Sequence, residues 1–212
     1  VIHLGDFVEL DINQENADEL IKDCWKSVRN KIESGNPLSS EKTLCFLFAM
    51  EISSKVGNSL VIDFENQCYS KLDGKSKYLD LLFYTNKSYK VAIEFKLPTK
   101  SKNGNSNQTE TRESVYRDLA RLNFLKTNSL SPQACYFLMA VNEDSYLNHG
   151  SYKKGLDFVT AHDHAINKNN SIVAEGISLT GIECCFNWNN TKKRGKKLTK
   201  SGKYAWLEPI RV

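Results

Sequence analysis

The stretch KYLDLLFYTNKSYKVAIEFKLPTK, residues 77–100, predicts two adjacent strands joined by a short polar turn. Apolar, β-branched and aromatic residues dominate both strands, and Pro98 ends the second. Charged residues nevertheless interrupt them, with Asp80 in the first strand and Glu94 and Lys96 in the second. Because burying an unpaired carboxylate costs free energy, these charges indicate either a structural ion pair or a functional site.

The alternation of side chains along a strand decides which of these charges lie together. Successive residues of a strand point to opposite faces of the sheet, so Glu94 and Lys96 share one face and Phe95 takes the other. If the two strands pair as a hairpin, Asp80 lies close to Glu94. Two neighbouring carboxylates repel each other and raise each other's proton affinity, a cost that a divalent cation between them would relieve.

The segments on either side predict an α/β arrangement. Apolar residues recur at helical spacing over residues 14–34, and a second helix begins after Ser39 or Ser40 and runs to about Val56. Residues 59–69 read as a strand, residues 112–126 as a helix and residues 134–141 as a buried strand. A helix that crosses between two strands favours their parallel pairing in one sheet. Residues 151–170 predict loop and a short helix, and residues 176–188 and 204–212 predict strands.

Asp80 followed by the tripeptide Glu94-Phe95-Lys96 on the next strand resembles the signature of the PD-(D/E)XK phosphodiesterase superfamily, whose fold is called restriction-endonuclease-like. The order helix, three strands, helix, strand between residues 40 and 141 also resembles that family, so the likeness covers about half the chain. Leu79 stands where the family often has proline. The alternative is a buried Glu94–Lys96 pair that holds the sheet together.

The resemblance implies a fold and a chemistry. The fold is an α/β, restriction-endonuclease-like core of helix, three antiparallel strands, helix and strand, with a mixed sheet flanked by helices and a C-terminal β-rich elaboration. Asp80, Glu94 and the Phe95 carbonyl would bind Mg²⁺ or Mn²⁺. Lys96 would orient the attacking water or help to deprotonate it. We expect one nuclease-like domain over residues 1–212, with an N-terminal helix at 14–34, a core at about 39–142 and the elaboration at 143–212.

Glu51 is the one charged residue in the apolar helical stretch from Thr43 to Ser54. At 100° per residue it falls between Leu44 and Leu47, so it points with the apolar side chains and not toward water. Many members of the superfamily carry an acidic residue on this first core helix. We therefore assign Glu51 to the catalytic and metal site, with a local ion pair to Lys55 as the alternative.

Three basic regions are candidates for binding the phosphate backbone of a nucleic acid. Lys100 and Lys102 follow the Lys96 strand directly, and Arg117 and Arg121 share a face of the second core helix. A C-terminal basic run lies beside aromatic residues that could stack on bases. Its assigned residues are Lys192, Lys193, Arg194, Lys196 and Lys197. The alternative for the two arginines is a solvated helix face with local ion pairs, and for the lysine-rich stretches it is a solvated hairpin loop or a basic localisation patch.

Composition and motifs narrow the class of protein. The net charge of +4 permits a polyanionic partner without requiring one. The six cysteines form no CxxC pair, which predicts free thiols in a reducing, intracellular (cytoplasmic) protein. The acids among residues 1–11 argue against a secretion signal, and no stretch is apolar enough for a membrane span. P-loop, GxGxxG and GxSxG motifs do not occur.

The sequence thus predicts a metal-dependent nuclease that hydrolyses phosphodiester bonds in nucleic acid. DNA is favoured over RNA and an endonuclease over an exonuclease, and a homodimer is compatible with the sequence. The alternative is a non-catalytic nucleic-acid-binding or protein-interaction module on the same fold.

Overall fold

Two helices, three strands, a third helix and a fourth strand follow one another through the first two-thirds of the chain. The computed structural model describes residues 10–69, 72, 78–85, 89–98, 107–126, 130–149, 158–174 and 176–212. The elements are α1 (Ala17–Glu33), α2 (Glu41–Val56), β1 (Val61–Asn66), β2 (Leu79–Tyr84), β3 (Val91–Lys96), α3 (Gln108–Lys126) and β4 (Ala134–Val141). This is the predicted α/β order.

The start of α2 is fixed by a side-chain cap. Ser40 has an extended backbone, and its hydroxyl oxygen accepts a hydrogen bond from the Thr43 N–H at 3.1 Å, which satisfies one of the free donors of the first turn. Gly57 ends the helix with a φ of +89°, a conformation that costs glycine little. These bounds confirm the prediction of a helix that begins after Ser39 or Ser40 and ends at Val56.

Short strands dominate the C-terminal region. A 3₁₀ helix (Asp144–Leu147) follows β4. The strands are β5 (Ala165–Ile166), β6 (Val173–Ala174), β7 (Ile177–Ser178), β8 (Cys184–Cys185), β9 (Trp188–Asn189), β10 (Thr191–Arg194), β11 (Lys197–Lys200), β12 (Ala205–Leu207) and β13 (Ile210–Arg211). The short helix predicted near residues 162–170 is wrong, because β5 lies there and pairs with β8. The predicted β-rich character of the region is confirmed.

The central sheet is mixed. Its strand order is β1-β2-β3-β4-β12-β9, and β13 also pairs with β4. β2 is antiparallel to both β1 and β3, whereas β3 and β4 are parallel because α3 crosses over between them. β1 is therefore an edge strand. Because β3 and β4 are parallel, their carboxyl ends lie at the same end of the sheet.

Each face of the sheet carries its own core. The odd-numbered residues of β3, Val91, Ile93 and Phe95, pack with α1 and α2, whereas Ala92 packs with α3 and the C-terminal region. The predicted alternation is thus confirmed. It places Glu94 and Lys96 on the α3 side, at the end of a strand where most neighbouring side chains are apolar.

All six cysteines lie in the described part of the chain as free thiols, and Cys24, Cys45 and Cys135 are buried. Within that same part, no helix combines the length and the apolar character that crossing a bilayer requires.

Candidate active site

Asp80 and Glu94 face each other across β2 and β3. The pairing register sets Leu81 opposite Ile93. The next pair toward the carboxyl end of β3 is therefore Asp80 and Glu94. Asp80 Oδ2 accepts a hydrogen bond from the backbone N–H of Phe95 at 2.7 Å, which fixes the position of its carboxylate. The structure therefore brings together the two acids that the sequence predicts to be close.

The surroundings of both carboxyl groups disfavour their charged forms. Glu94 is only 3% exposed, and burial together with the negative charge of Asp80 raises its pKa well above the ordinary value. Burial also raises the pKa of Asp80, although the hydrogen bond from Phe95 acts in the opposite direction. Tyr69 donates its hydroxyl hydrogen to Glu94 Oε1 at 2.8 Å. Such a pair favours a bound proton or a bound cation.

Lys96 lies beside a buried acid that the sequence did not reveal as part of the site. Its Nζ is 2.8 Å from Oδ2 of Asp118 on α3 and 3.9 Å from Oε1 of Glu41 on α2. Burial alone would lower the pKa of Lys96, but the negative charges of Asp118 and Glu41 outweigh burial and raise it. Lys96 therefore stays protonated, and of its two predicted roles, orienting the water fits better than removing its proton.

Asp118 connects the site to α3. It is 2% exposed and also contacts Arg117 Nε at 3.3 Å and Arg121 Nη1 at 3.8 Å. A sequence signal for it exists, since Asp118 lies three residues after Val115 and four before Leu122, within the apolar stripe of the helix. An acid at such a position is either paired or functional.

The predicted phosphate contact of Arg121 is not supported by its position. The residue is 4% exposed, and its guanidinium lies over the ring of Tyr69, 4.2 Å from the ring centre. It is thus a buried cation behind Glu94 that lowers the pKa of that acid. Arg117 is partly exposed and pairs with Asp118, so its contact with nucleic acid stays a prediction.

Glu51 does not belong to the site, and its assignment to catalysis and metal binding is wrong. Its carboxylate accepts hydrogen bonds from Ser27 and Lys31, both on α1. Helix α2 is apolar nearly all round because it packs on α1 as well as on the sheet, so a buried position on α2 need not face the sheet. The alternative, a local ion pair with Lys55, is also not the main contact of Glu51. That contact is with Lys31.

Glu41 is the acid of α2 that lies at the site. It is in the first turn of the helix, and its Oε2 accepts a hydrogen bond from the Leu97 N–H at 2.8 Å. Ten residues separate Glu41 from Glu51, which corresponds to about 15 Å along a helix at 1.5 Å per residue. Partial burial raises the pKa of Glu41, whereas Lys96 acts to lower it.

The C-terminal basic run forms a hairpin. β10 and β11 pair with each other, and the side chains of Lys192, Lys193, Arg194, Lys196 and Lys197 are exposed. The hairpin rests on the segment that follows β4, since the Lys200 N–H donates to Asp144 Oδ1 at 2.9 Å. The hairpin therefore lies toward the end of the sheet at which β3 terminates with Lys96. Lys100 and Lys102 fall outside the described residues.

Asp80 and Glu94 are the side chains that could hold the predicted Mg²⁺ or Mn²⁺. Among the described residues, no three His, Cys, Asp or Glu side chains come together as a metal-binding group. Mg²⁺ commonly takes only one or two carboxylates from a protein and fills its remaining positions with water and substrate phosphate. Asp80 and Glu94 fit that pattern, and a cleft of about 390 Å³ opens beside Asp80. The Phe95 carbonyl stays a predicted ligand.

The chain matches no protein-family model, no curated protein and no solved structure.

Proposed function

We propose that the protein is a metal-dependent nuclease that hydrolyses phosphodiester bonds in nucleic acid. One observation carries the proposal, namely two carboxylates opposed across neighbouring strands, with a charged lysine two residues beyond one of them on the same face. A purely structural charge cluster would pair acids with bases. Here Asp80 faces another acid, and that arrangement favours a cation.

Each residue of the site has a separate role in the proposed reaction. Asp80 and Glu94 would hold Mg²⁺ or Mn²⁺, which when bound offsets charge on the phosphate and lowers the pKa of a bound water. Lys96 donates hydrogen bonds to that water or to a phosphate oxygen, and Asp118 fixes the position of its ammonium group. Glu41 lies next to Lys96 and can accept a hydrogen bond from the same water.

Nucleic acid is the proposed substrate because a basic surface lies at the end of the sheet where β3 and β4 terminate. A cleft of about 620 Å³ beside the β10–β11 hairpin is lined by Lys193, Lys196 and Lys197 together with His149 and His162. Cationic side chains along a cleft favour a phosphate backbone irrespective of base sequence. DNA is preferred over RNA on the resemblance to the PD-(D/E)XK superfamily.

A non-catalytic nucleic-acid-binding module on the same fold is the second candidate, and one observation favours it. Lys96 is already paired with buried Asp118, and Glu94 already accepts a hydrogen bond from Tyr69. These partners could make the cluster a structural network that needs no metal.

A cleavage assay separates the two candidates. Purified protein is incubated with mixed single- and double-stranded DNA and RNA, with Mg²⁺, with Mn²⁺ and with chelator. We expect metal-dependent cleavage by the wild type and its loss in Asp80→Asn and Lys96→Ala. Lys168→Ala is the matched control, because Lys168 is an exposed lysine paired with Glu183 away from the site. Cleavage should survive in this control.

A thermal-shift titration with Mg²⁺ provides an independent readout. A ligand that binds only the folded state raises its melting temperature, so the nuclease proposal expects a shift in the wild type that Asp80→Asn abolishes. No cleavage and no metal-dependent shift, together with retained binding of nucleic acid, would establish the binding module instead.

A further inference from the structure

Aromatic side chains line the cleft that opens beside Asp80. The cleft lies between α2 and the edge strand β1 and has a volume of about 390 Å³, within the range of about 300–1,000 Å³ that is typical of small-ligand sites. Phe46 of α2 and Phe64 of β1 contribute to its walls, together with Cys45. Glu41 and Asp80 line it as well, so it is continuous with the candidate active site.

The two phenylalanines are unusually open to solvent. Phe46 is 56% exposed and Phe64 is 45% exposed, although both belong to regular elements of the fold. Burying an aromatic ring removes a large apolar surface from water, so two exposed rings in one cleft favour a planar apolar occupant.

The charges of the cleft indicate which part of a nucleotide would enter. Glu41, Glu65 and Asp80 contribute carboxylates, and the one cation among the described lining residues, Lys42, is paired with Glu65 at 2.7 Å. A phosphate group would be repelled from such a cleft. A nucleobase is neutral, stacks on aromatic rings, and carries N–H groups that can donate to carboxylates.

We propose that this cleft binds an unpaired base of the nucleotide next to the phosphate held at Asp80 and Glu94. The inference rests on the proposed nuclease function and names its substrate class, which is single-stranded or locally unpaired nucleic acid. A base that is stacked and paired inside a duplex cannot occupy the cleft without leaving its partner, so intact duplex is the disfavoured substrate.

The test measures binding apart from cleavage. Oligonucleotides that carry the fluorescent base 2-aminopurine are titrated with the wild type without added metal and with Glu94→Gln, which keeps the nucleic acid uncut. Stacking on an aromatic ring quenches this fluorescence. We expect quenching by both proteins, and about tenfold or more weaker binding of single strands by the double variant Phe46→Ala/Phe64→Ala, as is typical of removing base-stacking rings.

Two further variants control for surface hydrophobicity and for folding. Val173→Ala removes an apolar side chain that is 54% exposed on β6 and should leave binding unchanged. Phe46→Leu keeps an apolar side chain without the ring and should lose most of the Phe46 share of the quenching. Because both phenylalanines are exposed, all of these variants should keep the melting temperature of the wild type.

The outcomes separate this inference from the nuclease proposal. Equal single-strand affinity of wild type and double variant, or equal cleavage of duplex and single strands, would overturn the base-binding cleft. So would a wild-type dimer that the double variant converts to a monomer, since the rings would then belong to a protein interface. Quenching without any metal-dependent cleavage would reject the nuclease and keep the cleft.

Discussion

Two buried glutamates, Glu94 and Glu51, have opposite surroundings. Glu94 is 3% exposed and Glu51 is 6% exposed, but Glu94 lies deeper in the protein. Burial would raise the pKa of Glu51, but hydrogen bonds from Lys31 and Ser27 outweigh it and lower the pKa. At Glu94, burial and the neighbouring Asp80 act together and raise the pKa.

The comparison shows how a structural acid differs from a candidate catalytic one. Glu51 is matched by a cation and joins α1 to α2, so its charge is accounted for by the fold. Asp80 and Glu94 carry like charges to the same place, which the fold alone does not reward. Strained electrostatics of this kind cluster at functional sites.

The largest expected effect comes from the acid with the most cations around it. Asp118→Asn removes the negative charge that faces Lys96, Arg117 and Arg121 and leaves cations buried without it. Removing one partner of a buried charge cluster costs about 3–5 kcal/mol, so we expect a loss of that size in the free energy of unfolding, measured with urea.

Asp23→Asn is the control for Asp118→Asn. Asp23 is 57% exposed and 3.8 Å from Lys55, an exposed pair of the kind that contributes about 0–1 kcal/mol. Equal losses in both variants would mean that the Asp118 cluster is no more stabilising than a surface ion pair.

The second effect falls on catalysis. Glu94→Gln keeps the size of the side chain and its hydrogen bond from Tyr69 but removes one of the two opposed charges. We expect cleavage to fall by about 100-fold or more, the scale on which single electrostatic groups act in catalysis. The free energy of unfolding should stay equal or rise, because repulsion from Asp80 is relieved. A clear loss of stability instead would place Glu94 with Glu51 among the structural acids.

The third effect is a dependence of stability on pH. A folded protein in which Glu94 has a raised pKa holds a proton that the unfolded chain releases, so this group stabilises the fold at low pH. That contribution is lost as the pH rises from about 4.5, its ordinary value, through the raised pKa. Glu51 has a lowered pKa, and its contribution is instead lost as the pH falls below about 4.5.

Urea unfolding from about pH 2.5 to pH 8 checks both signs without added metal. The stability of the wild type relative to Glu94→Gln should decrease with rising pH, and relative to Glu51→Gln it should decrease with falling pH. Parallel profiles for the wild type and both variants would show that neither carboxyl group has the environment described.

The sequence predicted the Asp80–Glu94 pair because strand alternation and hairpin pairing are local rules. Glu51 was misassigned because helical periodicity identifies a buried side chain without identifying what covers it. The partner of Glu51 is on α1, twenty residues earlier in the chain. Periodicity contains no information on how α1 and α2 pack together.

Other features of the fold and of the site depend on contacts between residues that are distant in sequence. Tyr69 follows β1 in a segment without periodicity, yet it reaches Glu94. Strands of two or three residues are too short to alternate, and β12 joins the sheet by pairing Ala205 with Val141, far apart in sequence. Asp118 can be predicted from the sequence, because an acid inside an apolar helical stripe indicates a side chain that is either paired or functional.

The smallest effect concerns Glu51 itself. Glu51→Gln should reduce the free energy of unfolding by about 1 kcal/mol, since it weakens charge-assisted hydrogen bonds from Lys31 and Ser27. The loss is modest because the Lys31 side chain is 50% exposed and stays hydrated without its partner. Ser27→Ala removes one of the same hydrogen bonds and should cost no more. Cleavage by both variants should equal that of the wild type, and a loss of cleavage without a loss of stability would return Glu51 to the active site.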